Sequence, residues 1–291
     1  MTTINWYPGH IAKAERKLKE QVNLVDVVIE VVDARIPLSS KYIEIEKLIG
    51  HKPRLLVLNK ADLADPEQSK KWKDYLAKNT GLAVILTNSS SSKDLSSLVS
   101  AAVNLGKDKI SQLTARGMLP RPIRAMVIGM PNVGKSSVIN KLIKTTKAKV
   151  GARAGVTRTS QWVRINPKLE LMDTPGIIPI KLEDQQRAVK LAIVNSISEN
   201  AYNNAEVAQE LLNLLYEKYP SALKKYYNLP EITAPPTLAD VALARNLVLM
   251  GGMPDENRCA SLVLSDFRHG RIGRVTLDSI APIEIYENCQ D

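Results

Sequence analysis

The sequence predicts an α/β fold in which a doubly wound, mostly parallel sheet is followed by a small all-helical region. Three observations carry that expectation. Short, nearly continuous apolar runs rich in β-branched residues, at 24–33 and 54–58, read as parallel strands covered on both faces. Stretches with helical spacing alternate with these runs, which is the pattern of β–α units. From about residue 185 onward the period is helical throughout.

Taken in order, strand 24–33 is followed by a helix over 41–49 and strand 54–58. Asp65-Pro66-Glu67 places a capping residue before a proline, which starts a helix running to 78. Strand 83–86 and a long helix over 95–113 come next. Residues 116–124 hold Gly117, Pro120 and Pro122 and read as a linker. Strand 125–128, helix 135–143 and strands 161–165 and 169–172 complete the sheet. Helices are then expected at 188–202, 206–219, 237–250 and 258–267, with an extended segment at 274–277. This divides the chain into a domain of residues 1–184 and a helical domain of residues 185–291.

A length of 291 residues allows two such units, each with its own core. The 44% hydrophobic and 24% charged content is that of a globular protein, and no apolar run approaches the roughly 20 residues needed to span a bilayer. The first ten residues carry no leader-like pattern, so a cytoplasmic location without membrane attachment is expected. Cys259 and Cys289 are too few for a disulfide framework and lack a zinc-ligand spacing. The net charge of +10 is unevenly placed. Residues 1–184 carry 30 Lys and Arg against 17 Asp and Glu, whereas residues 185–291 carry 10 against 13, so the positive field belongs to the first domain.

Two loops carry the chemistry. Gly129-Met130-Pro131-Asn132-Val133-Gly134-Lys135-Ser136 has the spacing of a phosphate-binding loop, following a strand and opening a helix. In such a loop the glycines let backbone N–H groups surround phosphates, the lysine neutralises β/γ oxygens and the serine hydroxyl reaches Mg²⁺. The nucleotide contacts expected here are Asn132, Val133, Gly134, Lys135, Ser136 and Ser137. Asn59-Lys60-Ala61-Asp62 follows the strand at 54–58. Asp62 is suited to accept from the guanine N1–H and exocyclic amine, with Asn59 and Lys60 bracing the loop. Asn88 and Ser89, after strand 83–86, are expected to complete the base contacts. Asp173-Thr174-Pro175-Gly176 ends a strand, which suits Asp173 to Mg²⁺ and Gly176 to the γ-phosphate, and Thr157 is the switch threonine that completes the metal shell.

The order of these motifs is informative. The base-reading tetrapeptide precedes the phosphate loop by about seventy residues, whereas guanine-nucleotide switches usually carry it after that loop. The expected architecture is therefore a circularly permuted P-loop GTPase domain followed by the helical domain.

The chain resembles the circularly permuted ribosome-assembly GTPases, specifically the bacterial ribosome biogenesis GTPase A family. The resemblance rests on Trp6-Tyr7-Pro8-Gly9-His10-Ile11-Ala12-Lys13-Ala14, on Val32-Asp33-Ala34-Arg35-Ile36-Pro37 and on the four motifs in their permuted order. It departs from the family at Ala154, where a proline is usual. The resemblance implies GTP hydrolysis, with GTP/GDP and Mg²⁺ bound, stimulated by the large ribosomal subunit precursor during its late maturation. It also implies contacts with rRNA and ribosomal proteins, no DNA target, and a monomer.

Ile177 stands where a water-positioning glutamine is found in Ras-like proteins, and its side chain cannot orient water. His10, whose family counterpart is implicated in hydrolysis, is a candidate catalytic residue alongside Lys135; the alternative is that residues 6–10 anchor the N-terminus. Asn132 resembles the asparagine that helps bind K⁺ in related GTPases. Basic groups at Lys13, Arg16, Lys17 and Lys19, at Arg116, Arg121 and Arg124, and at Lys144, Lys147, Lys149, Arg153 and Arg158 suit phosphate-backbone contacts with rRNA. A P-loop kinase or ATPase and a GTP-holding scaffold that does not hydrolyse are the rival readings.

Overall fold

The computed structural model describes residues 4, 18–42, 45–88, 91–146, 150–151, 162–173 and 184–280. His10, Ser89, Thr157 and Gly176 lie outside them. Seven strands form one sheet: β1 (Val27–Asp33), β2 (Arg54–Asn59), β3 (Ala83–Leu86), β4 (Ile123–Ile128), β5 (Val150–Gly151), β6 (Trp162–Asn166) and β7 (Leu169–Asp173), in the order β3-β2-β1-β4-β7-β6-β5. The first five in that order run parallel, and β6 and β5 are antiparallel additions at one edge.

Every residue of β1 and β2 is buried, which explains why these strands read as continuous apolar runs instead of alternating ones. The chain crosses from β1 to β2 on one side and places β4 on the other. The carboxyl ends of β2 and β4 therefore flank β1, the kind of reversal where α/β sheets bind ligands. Asp33 pairs with Asn59 and Val127 with Asp173, so these strand ends finish near one another.

Residues 18–22 are helical, and the other α-helices among the described residues are α1 (Ile45–Ile49), α2 (Pro66–Thr80), α3 (Ser92–Ala115), α4 (Lys135–Thr146), α5 (Gln185–Ile193), α6 (Asn204–Lys218), α7 (Pro220–Tyr227), α8 (Leu238–Ala244) and α9 (Glu256–Arg268). Asp65 caps α2 through the amides of Glu67 and Gln68, and Gly81 ends it at a φ of 65°.

Several expected boundaries move, each for a visible reason. The expected helix at 41–49 is reduced to α1, because the backbone before it is drawn into other bonds: Tyr42 N donates to Glu30 (3.2 Å) and Lys41 O accepts from Arg187. The expected helix at 188–202 stops at Ile193, and Asn195 follows at a φ of 63°. The helix expected over 237–250 ends at Ala244; Asn246 has a φ of 55° and Val248 pairs with Pro254 across a tight turn. Pro220 starts α7, in a stretch where no helix was expected.

The linker is tied down at its end. Arg121 makes a two-pronged contact with Asp26 (2.7 and 2.9 Å), which also accepts from Arg124 N and Lys109. Burial alone would raise the Asp26 carboxyl, but these donors outweigh it and hold its pKa at about 2.

Residues after 184 contain no strand among those described, and their apolar faces join the sheet's own core. Val31, Val127 and Leu171 belong to the same buried cluster as Leu191, Leu211, Val263 and Phe267. No helix among the described residues is long and apolar enough to cross a membrane.

Candidate nucleotide site

The loop after β4 needs its glycines for steric reasons. A Cβ on Gly129 would stand 2.2 Å from the carbonyl oxygen of Val31, because the loop turns against the neighbouring strand. Gly134 has a φ of 98°, and a Cβ there would stand 2.3 Å from Asn59 Nδ2. The phosphate loop and the base-reading loop are thus in direct contact, although 75 residues of chain separate these two positions.

Asn59 is fully buried and works as a bridge. Its amide nitrogen donates to Val133 O (2.9 Å), while its oxygen accepts from the Thr87 hydroxyl (3.1 Å). One side chain thereby joins the phosphate loop, the base-reading loop and the segment after β3. Lys60, at a φ of 60°, donates to Asn132 O (2.5 Å) and pairs with Asp33 (2.9 Å). Ala61 N donates to Thr87 O (3.1 Å), which draws the Thr87-Asn88 segment beside the loop. Asn88 is braced by its own amide, which donates to Asp94 (3.0 Å).

Asp33 ends β1 beneath this contact and is fully buried. Burial pushes its carboxyl up, but the charges of Arg35 and Lys60 overcome that and keep it ionised, well below the usual carboxylate range. Lys60 is pushed down by the same burial, opposed by Asp33. The ion pair places the positive charge next to a loop whose outer residue, Asp62, is solvent-exposed.

Lys135 opens α4 with its ammonium inside the phosphate loop, where it donates to Met130 O (2.8 Å). Ser136 and Ser137 are exposed on the first turn of that helix, where backbone N–H groups and the helix dipole favour an anion. Asp173 ends β7 beside β4, and its side chain lies outside the described residues. Among the described residues no group of three or more His, Cys, Asp or Glu could hold a metal ion. Asn132, at a φ of 58°, donates its side-chain nitrogen to Asn195 O (2.5 Å), while its backbone oxygen accepts from Lys60.

The structure therefore brings together Asn59, Lys60, Asn88, Asn132, Val133, Gly134, Lys135 and Ser136. It adds residues that the sequence did not single out for this site. Asn195 and Ser196, in the turn after α5, hold the phosphate loop, the latter through Pro131 O (2.7 Å). Asp33 and Arg35 support Lys60, and their place at the end of a predicted strand was the signal available for them.

Residues 124–229 match a family described as 50S ribosome-binding GTPase. Ribosome biogenesis GTPase A of Bacillus cereus is 42% identical over 292 residues, covering 99% of this chain and 97% of that protein. A GDP-bound structure of TM YlqF matches with a TM-score of 0.62 at 26% identity, covering 91% of this chain and 99% of that one. GNP-bound YlqF from T. maritima matches with a TM-score of 0.60 at 25% identity, covering 91% and 97%.

Proposed function

The chain belongs to the ribosome biogenesis GTPase A family, and from that premise we propose that it acts in late maturation of the large ribosomal subunit, hydrolysing GTP when docked on the immature particle. GTP hydrolysis by a P-loop GTPase and a part in ribosome biogenesis come with the family; the subunit, the stage and the stimulation are this proposal. The observation that supports its nucleotide chemistry is the approach of Asn59 to Gly134 and Val133, which sets the base-reading loop against the phosphate loop.

In this reading Asp62 accepts from guanine N1–H and the exocyclic amine, with Asn88 and Ser89 completing the base contacts. The amides of Val133 to Ser137 and the Lys135 ammonium hold the phosphates. Ser136, Asp173 and Thr157 would hold Mg²⁺, which when bound offsets phosphate charge. Gly176 senses the γ-phosphate. A water oxygen forms a bond to the γ-phosphorus as the bond to the β-bridging oxygen breaks, giving GDP and inorganic phosphate. Lys135 stabilises the charge that gathers on the bridging oxygen. His10 orients the water, since Ile177 cannot, and the side-chain oxygen of Asn132 takes K⁺.

The motif order is that of a circular permutation, which puts residues 185–291 directly after the γ-phosphate sensor as an RNA-contacting domain. The basic surface of residues 1–184 supplies rRNA phosphate contacts, and the protein works as a cytoplasmic monomer. The test is the GTPase rate with immature and with mature large subunits, in KCl and in NaCl at equal ionic strength. Faster turnover with immature particles, and faster in KCl, is expected. Equal rates in the two salts would remove K⁺ and Asn132, and no stimulation by any particle would remove the docking step.

A further inference from the structure

The outer side of the base-reading loop is closed by consecutive residues of the helical region. Arg274 donates from Nη2 to Ala61 O (2.9 Å) and from Nε to Ala64 O (3.1 Å). Val275 N donates to Leu63 O (3.1 Å), and Asp65 N donates to the Thr276 hydroxyl (3.2 Å). The inner side is held by the sheet, through Ala34 N to Asn59 O (2.8 Å) and Ala61 N to Thr87 O (3.1 Å). Asp62 thus sits between peptide groups fixed on one side by residues 34 and 87 and on the other by residues 274–276.

This segment is itself anchored. Thr276 N donates to the Tyr219 hydroxyl (3.1 Å), which lies 3.2 Å from Asp65 Oδ2. Leu277 N donates to Arg35 O (2.7 Å), and the buried Asp278 carboxylate accepts from Leu38 N, Ser39 N, the Ser39 hydroxyl and Lys190. Gly270, at a φ of 70°, packs so closely that a Cβ would stand 2.7 Å from Leu63 Cδ2.

A second route reaches the same loop. The buried Arg35 donates from Nη1 to the carbonyls of Phe267 and Arg268 at the end of α9 (both 3.3 Å), while Nε and Nη2 bind Asp33 (2.9 and 2.8 Å). Asp33 in turn pairs with Lys60, which reaches Asn132 in the phosphate loop. An element that only needed attachment could be held by apolar packing alone. Here it satisfies the backbone polar groups on both sides of the residue proposed to read the base.

We infer that residues 274–276 form part of the guanine-recognition site, with Arg274 and Thr276 as positioning residues that aim Asp62. This rests on the reading of Asp62 as the base-reading carboxylate. Two bonds to one base require its oxygens to be held within about half an ångström of their places, so discrimination between bases depends on the segment. By linkage, a partner that draws the helical region away from residues 61–65 loosens guanine, and bound guanine resists that displacement.

The test compares GDP and IDP binding to the full-length protein, because IDP lacks only the exocyclic amine that Asp62 would bind. The unaltered chain should prefer GDP by ~10-fold or more. Arg274→Ala and Thr276→Val should each reduce that preference by roughly threefold or more and speed GDP release, with melting temperatures within about 2 °C of the parent. Arg274→Lys, which keeps a donor, should recover part of the preference. A loss of general stability would weaken GDP and IDP alike and leave the ratio unchanged. If the unaltered chain prefers GDP and both variants keep its ratio, the positioning role is wrong. If the unaltered chain does not prefer GDP, the reading of Asp62 falls and takes this inference with it.

Discussion

The two loops that meet in the site are held in different ways. The phosphate loop combines its own composition with bonds from Asn59, Lys60, Asn195 and Ser196: Gly129 passes the Val31 carbonyl where no side chain fits, Gly134 admits Asn59, and Lys135 folds back on Met130. The base-reading loop keeps one bond of its own, from Leu63 N to Lys60 O (2.9 Å). Its carbonyls at 61, 63 and 64 are taken by residues 274 and 275. The helical region therefore reaches the phosphate loop through residues 195 and 196 and the base-reading loop through residues 274–276. Changes at residues 274–276 should reach the base before they reach the phosphates.

The largest effect should come from closing the gap between the loops. Gly134→Ala would put a methyl group on Asn59 in a backbone conformation unsuited to alanine, costing roughly 3 kcal/mol or more. GDP affinity, followed with a fluorescent analogue, is expected to fall by about 100-fold or more. Near-parent affinity would mean that the two loops do not share a nucleotide.

Asn59→Ala comes next. It leaves Val133 O and the Thr87 hydroxyl without their partner in a buried place, which costs about 1–3 kcal/mol. Both the unfolding free energy and GDP affinity should drop. A change in affinity alone would mean that Asn59 touches nucleotide without bracing the fold.

The smallest effect concerns the anchor of the 274–276 segment. Burial is the main reason that the Tyr219 hydroxyl is pushed up to about 12, with the nearby Asp65 charge adding to it. Because the folded state holds this proton more tightly, its contribution is complete below pH 10 and is lost as pH rises toward 12. The partly exposed ring limits the contribution to about 1 kcal/mol. Tyr219→Phe should flatten that part of the alkaline stability curve, measured by urea unfolding between pH 9 and 12. An unchanged slope would place the effect on other groups.

The same contrast explains what was legible in the sequence. Strands β1, β2 and β4 could be read because they are buried on both faces and each runs into a loop with a fixed chemical spacing. The helix starting at Asp65-Pro66 could be read because cap and proline are adjacent. The breaks at Asn195 and Asn246 were not legible. Asparagine tolerates left-handed backbone but does not demand it, and tertiary contacts decide. Asn59 and Gly134 were recognisable by motif, but their contact depends on sheet order. Arg274 lies in a basic cluster with Arg268, His269 and Arg271 that suggests RNA contact, and nothing local marks it or Thr276 for the base-reading loop, since their partners are carbonyl and amide groups that every sequence has.

The most direct measurement replaces Asp62 by Asn and compares GDP with XDP. Xanthine has a carbonyl where guanine has the exocyclic amine, so an amide side chain at position 62 can donate to it where a carboxylate cannot. If Asp62 reads the base of a nucleotide whose phosphates lie in the Gly129–Ser136 loop, the variant should bind XDP more tightly than GDP while the parent does the reverse. A variant that keeps the parent's preference for GDP would contradict the convergence of the two loops on one guanine nucleotide.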